Sequence, residues 1–121
     1  MVDARQALTE VEKMARVPGI WFKDTPSGRT AMVEGTGLGV WQIMKLYEPP
    51  TYDRAWLRSY FHWLAGWQMD AAFHYYDLFR DEVQRRLDYD RRLEEVLMTK
   101  QSWTSQEIAD VFSTIGPFSA Q

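Results

Sequence analysis

Residues 28–47 read GRTAMVEGTGLGVWQIMKLY, and in them a strand-prone run, three glycines at alternate positions and a helical run follow one another without a gap. The chain must pass directly from a strand, residues 29–34, into a helix opening at Val40 and Trp41. So abrupt a passage needs backbone angles that glycine adopts most cheaply, and Gly35, Gly37 and Gly39 supply them. Upstream, the bulky residues 20–23 suit a second strand. Asp24-Thr25-Pro26-Ser27-Gly28 between the strands is turn chemistry throughout. The spacing predicts a β-hairpin that hands the chain to a helix.

A strand, a glycine loop and a helix also describe a dinucleotide site. That loop would need its third glycine at position 40, which is Val40, and no alternating strand–helix pattern follows. A packed tight turn is the better reading.

The rest of the chain reads as helices. Residues 3–16 form one, capped by Asp3, with Ala4, Leu8, Val11 and Ala15 on one stripe, ended by Pro18-Gly19. The helix opening at Val40 extends to Tyr47 and stops before Pro49-Pro50. Thr51 or Asp53 caps the next, where Trp56, Leu57, Tyr60, Phe61 and Leu64 recur at helical spacing, with a break near Ala65-Gly66. Residues 67–87 are the strongest helix, with Met69, Ala72, Phe73, Tyr76, Val83 and Leu87 inward. The run DYDRR at 88–92 predicts a kink or an end before the pattern resumes at Leu93, Val96 and Leu97. Thr104 and Glu107 make a capping box for a short helix to Phe112, closed by Gly116-Pro117.

At 121 residues the chain suits one domain with a modest core. Six each of Trp, Tyr and Phe are more rings than such a core hides, so some are expected at an interface, and a homodimer follows. A net charge of −3 excludes a general polyanion binder and requires any nucleic-acid contact to come from a local basic patch. Without cysteine there is no disulfide and no thiolate zinc site, which fits a cytoplasmic protein. No apolar leader and no membrane-length apolar run are read, so no membrane association is expected.

Candidate chemistry is sparse. His62 and His74 have no ligand partner at metal spacing, and no nucleophilic motif surrounds them. Most carboxylates on the polar helix face alternate with arginines four residues on, as a solvated surface does. No catalytic residue, metal or cofactor is expected, and the chain does not read as an enzyme. Residues 56–76 are ring-rich and lie beside Arg54 and Arg58. They could stack on nucleic acid, but their helical spacing favours a core plus a dimer seam.

Residues 18–47, with the turn Gly35-Thr36-Gly37-Leu38-Gly39-Val40-Trp41, resemble the opening of the bacterial domains grouped as domain-of-unknown-function family 433. The block HWLAGWQMDAAFHYY at 62–76 is similar to that family's third helix. Gly37 stands where the family commonly carries an arginine, and Ala65-Gly66 where it has a Ser/Thr cap and proline. The resemblance implies a helix-turn-helix protein like the VapB-type antitoxins, which bind DNA, autoregulate transcription and neutralise a partner toxin.

The expected fold is therefore mainly α with a short N-terminal β-hairpin. It has a three-helix, homeodomain-like helix-turn-helix core and a C-terminal helical extension. The expected divisions are an arm at 1–17, the hairpin and helix-turn-helix domain at 18–92, and a tail at 93–121. Double-stranded DNA would meet Arg54 and Arg58 at phosphates and Trp67, Gln68 and His74 in the groove. A cognate toxin would meet Trp103, Ile108, Val111, Phe112 and Ile115, unless that segment folds back on its own core. The alternative is a homodimeric protein-interaction module on the same scaffold, without DNA binding.

Overall fold

A computed structural model describes residues 8–116. Its elements in order are α1 (Glu10–Arg16), β1 (Ile20–Thr25), β2 (Gly28–Val33), β3 (Leu38–Gly39), α2 (Val40–Met44), α3 (Arg54–Tyr60), α4 (Gly66–Leu78), α5 (Arg80–Leu97) and α6 (Ser105–Ile115). The described chain is thus a set of helices around a small antiparallel sheet near the N-terminus, in strand order β1-β2-β3.

The hairpin forms as its sequence predicts. Ile20 pairs with Val33 and Thr25 with Gly28, leaving Pro26 and Ser27 as the loop. Ile20 and Phe22 turn inward while Trp21 and Lys23 face out, the period of two that a half-buried strand imposes. The glycine turn does more than predicted, because Leu38 and Gly39 pair back onto Val33 and Met32 as a third strand. Two residues are too few to show a period, so this strand left no trace in the pattern. Gly35 and Gly37 sit at φ 79° and 70°, in the left-handed region. The Thr36 hydroxyl pins the turn, donating to the Val33 carbonyl (2.7 Å) and accepting from the Leu38 amide (2.9 Å). Gly39 is needed for a different reason: a Cβ there would stand 2.9 Å from the Trp41 ring.

The inner face of the sheet, with Ile20, Phe22, Ala31 and Val33, packs against α2 and α4, and α5 packs on those two helices. Tyr75, Ile43, Met44, Leu57 and Met69 are the largest side chains fully enclosed there. Three charged side chains, Lys13, Glu82 and Arg86, are enclosed with them. Lys13 forms an ion pair with Glu82, its ammonium 5.2 Å from the centre of the Phe79 ring, and the Tyr75 hydroxyl donates to the same carboxylate at 2.5 Å. Arg86 donates to the Thr30 hydroxyl at 2.6 Å and lies 4.7 Å over Trp41.

Several expected boundaries are corrected. α1 starts at Glu10, not residue 3: Thr9 is extended and caps it through a box with Glu12. Asp3 and Ala4 lie outside the described residues. The expected stripe also rotates, since Val11 is 71% exposed and Lys13 and Val17 face inward. The buried Glu82 draws Lys13 in, a tertiary pairing that hydrophobic periodicity cannot register. α2 stops at Met44, short of Tyr47, and an isolated bridge between Glu48 and Tyr52 brackets the proline pair. α3 is capped by Asp53, whose side chain accepts from the Trp56 amide, and the break at Ala65-Gly66 is present.

The helix expected over 67–87 is two helices. Phe79 leaves helical geometry (φ −126°, ψ 46°), and its ring packs 4.8 Å from Tyr75 and under Lys13. The interruption expected at 88–92 is absent. α5 runs through it because Tyr89 and Leu93 are buried and Asp90 is held by Lys45 at 3.1 Å. α6 opens at the predicted Thr104–Glu107 box but continues past Phe112 to Ile115, where Gly116 at φ 81° ends it.

Candidate functional site

Two surfaces gather the residues that the sequence singles out. On the first, α3 meets α4 through two ion pairs. The Arg54 guanidinium grips Asp77 with both Nη atoms (3.1 and 2.5 Å), and Arg58 meets Asp70 at 2.5 Å. Both arginines also lie over one ring, Phe73, at 4.9 and 5.0 Å. Arg54 holds the Asp77 carboxyl below the usual carboxylate range. Trp67, Asp70, His74 and Asp77 share the outer face of α4 at helical spacing, and all are exposed. The two expected phosphate ligands are thus brought together, but each is matched by a carboxylate of the helix expected to read the groove.

Gln68 is already engaged. Its Oε1 accepts from the Ala65 amide at 2.7 Å, capping α4 where the residue at the cap has no side-chain acceptor. Its Nε2 donates to the Glu34 carbonyl at 3.0 Å, tying α4 to the glycine turn. Trp67 is half exposed, with one ring edge against Gly19.

The second surface lies between α5 and α6. The Thr104 hydroxyl accepts from the Glu107 amide at 3.1 Å, and the Glu107 carboxylate accepts from the Thr104 amide at 3.0 Å. Lys100 forms an ion pair with Glu107 and lies 4.7 Å over the Trp103 ring. Trp103 is fixed by its indole N–H, which donates to the Leu97 carbonyl at 2.8 Å. With the Lys100 ammonium as the largest cause and Thr104 adding to it, the Glu107 carboxyl is held down to about 2. The Tyr89 hydroxyl anchors the far end, donating to the Gly116 carbonyl at 2.9 Å.

α6 therefore folds back on this chain. Val111, Phe112 and Ile115 are half-buried against the core, yet no residue of α6 is fully buried. An open groove of about 340 Å³ remains. Of the five residues expected to meet a partner, Trp103, Val111 and Ile115 line it, Phe112 turns to the core, and Ile108 stays exposed outside it. The sequence reading missed Val96, Lys100, Glu107, Asp110 and Thr114 as lining residues. Their signal was partial: the capping box locates α6, but nothing local says which face of α5 it meets.

Among the described residues no group of histidines and carboxylates could hold a metal ion, and no helix is long and apolar enough to cross a membrane. Protein-family models, curated proteins and solved structures give no match to this chain.

Proposed function

We propose that the chain is a protein-interaction module that seats an apolar segment of a partner polypeptide in the α5–α6 groove. The observation that carries this reading is the groove itself. Trp103, Val111, Ile115 and Val96 give it apolar walls, and Lys100, Glu107 and Asp110 give it a polar rim. Its volume is near the lower bound of ligand clefts, roughly 300 Å³. That suits one or two anchoring side chains of a longer segment, as in helix-in-groove recognition. Glu107 is matched by Lys100, so Asp110 is the rim charge that selects a basic residue beside the anchor. The resemblance to antitoxins supplies a partner class, a small toxin. In this reading, however, the partner enters the groove instead of α6 leaving the molecule to enter the partner.

The helix-turn-helix regulator remains a second reading with one observation behind it. Hairpin, α2, α3 and α4 follow in the expected order, and Arg54 and Arg58 stand side by side with side chains 39% and 44% exposed. Exposed ion pairs are worth about 0–1 kcal/mol, so a phosphate can compete for these arginines. The freed Asp70 and Asp77 would then face the same phosphates, and that repulsion offsets the gain.

Selection of random phage-displayed peptides on the immobilised full chain tests the groove. Peptides with an aromatic or branched apolar anchor next to Lys or Arg should enrich, and T114W, which fills the groove from its rim, should abolish their binding. Absence of enrichment, or equal binding to T114W, would overturn the reading.

A further inference from the structure

The groove between α5 and α6 extends to the point where the described chain stops. Its α6 wall, Glu107, Asp110, Val111, Thr114 and Ile115, follows one stripe of the helix and finishes on its last residue. Gly116 comes next and is held from both sides. Its amide donates to the Phe112 carbonyl at 2.8 Å, and its carbonyl accepts from the Tyr89 hydroxyl at 2.9 Å. Its φ of 81° and ψ of 167° lie in a region that only glycine occupies readily. The proline that follows it in the sequence keeps a preceding residue out of helical geometry. The helix therefore cannot run on, and the chain must change direction beside the last wall residue of the groove. The sequence continues from there as Pro117, Phe118, Ser119, Ala120 and Gln121.

We propose that Phe118 docks in the α5–α6 groove of its own chain and competes there with the partner segment, so that the groove is autoinhibited. The proposal rests on the reading of that groove as a partner site. Reach permits this occupant. Two extended residues span at most about 7 Å, and the helix from Ile115 back to Val111 is about 6 Å long. Chemistry suits it as well. The benzyl group is a single apolar anchor for walls made by Val96, Val111 and Ile115, in a groove of about 340 Å³. The covalent link then favours it over a free segment, because a short tether holds its end at an effective concentration on the order of millimolar.

The same segment is built to be displaced. Residues 117–121 contain no Lys or Arg, so they offer Asp110 no cation. A partner that sets a basic residue beside its apolar anchor makes a contact that Phe118 cannot bring. Self-docking lowers the fraction of open groove, and the partner's apparent affinity falls by the same factor. For one ring on a millimolar tether that factor is about two to ten.

NMR of the isotope-labelled full chain tests the docking with no partner present. Nuclear Overhauser contacts from the Phe118 ring to the methyl groups of Val96, Val111 and Ile115 are expected, and T114W should remove them. The variant F118S should shift the Trp103 indole N–H resonance. By calorimetry it should bind the tightest phage-selected peptide about two- to tenfold more strongly than the wild type does. Its far-UV circular dichroism should match the wild type, since Phe118 lies beyond α6; should it not, the contacts in the wild-type chain still decide the docking. A Phe118 ring without contacts to the groove, contacts seen only between differently labelled copies, or equal peptide affinity in F118S and wild type would each overturn the proposal. Should no peptide be selected at all, the partner reading fails, whereas the Phe118 contacts are read without a peptide.

Discussion

Lys13 carries its charge into a position where only 6% of the residue is exposed, and its surroundings make that tolerable. The Glu82 carboxylate neutralises it, Tyr75 completes the carboxylate's hydrogen bonding, and the faces of Phe22 and Phe79 lie near the ammonium. Removing one member of such a pair strands the other charge. K13M should therefore cost about 3–5 kcal/mol in a urea melt, whereas replacing both ions by apolar groups is often neutral. The double variant K13M/E82L should recover most of that loss. If it is no more stable than K13M alone, the ion pair is not the reason α1 stays docked. Burial, with the Glu82 charge adding to it, also pushes the Tyr75 phenol far above its ordinary range.

Among the elements, α6 is held at both ends, by the Lys100–Glu107–Thr104 cluster at its start and by the Tyr89 hydroxyl on the Gly116 carbonyl at its close. Glu107 is central at the first end, and its carboxylate, on a side chain 36% exposed, makes it a readable probe. Its pKa falls from the ordinary 4.5 to about 2 in the folded chain. A depressed carboxyl stabilises the folded form above its unfolded pKa and loses that contribution as pH falls through the folded one. The helix start should thus be fully supported above pH 4.5, weaken between 4.5 and 2, and gain nothing from Glu107 below 2. A carboxyl-carbon NMR titration should place Glu107 near 2, and K100M should move it back toward 4.5. An unchanged midpoint in K100M would assign the shift to the Thr104 cap instead.

Element by element, what was legible in the sequence was local. The hairpin, the glycine turn, the break at Ala65-Gly66 and the box opening α6 each depend on residues within a few positions of one another. What was not legible depends on residues far apart. The split at Phe79 is set by Tyr75 and Lys13, and the continuity of α5 through residues 88–92 by a salt bridge from Lys45. The candidate site divides the same way. Trp103, Val111 and Ile115 stood out as surplus apolar groups, while Val96, Lys100 and Asp110 became part of a groove only when α6 met α5.

For the whole molecule, charge pairing and the groove decide between the two functional readings. Fluorescein-labelled duplex DNA should show no binding by anisotropy at low salt, because Asp70 and Asp77 cancel Arg54 and Arg58. The double variant D70N/D77N frees both guanidinium groups and should acquire weak, sequence-independent binding. Two phosphate contacts imply a slope of about −2 in log K against log salt. Tight binding by the wild type would restore the regulator reading. The central claim, that a partner segment docks between α5 and α6, is tested most directly by amide chemical-shift mapping of the labelled chain with the tightest selected peptide. The largest shifts should fall at Val96, Lys100, Trp103, Val111 and Ile115, with α4 unmoved. Shifts centred on Trp67 and His74, or spread without a focus, would contradict it.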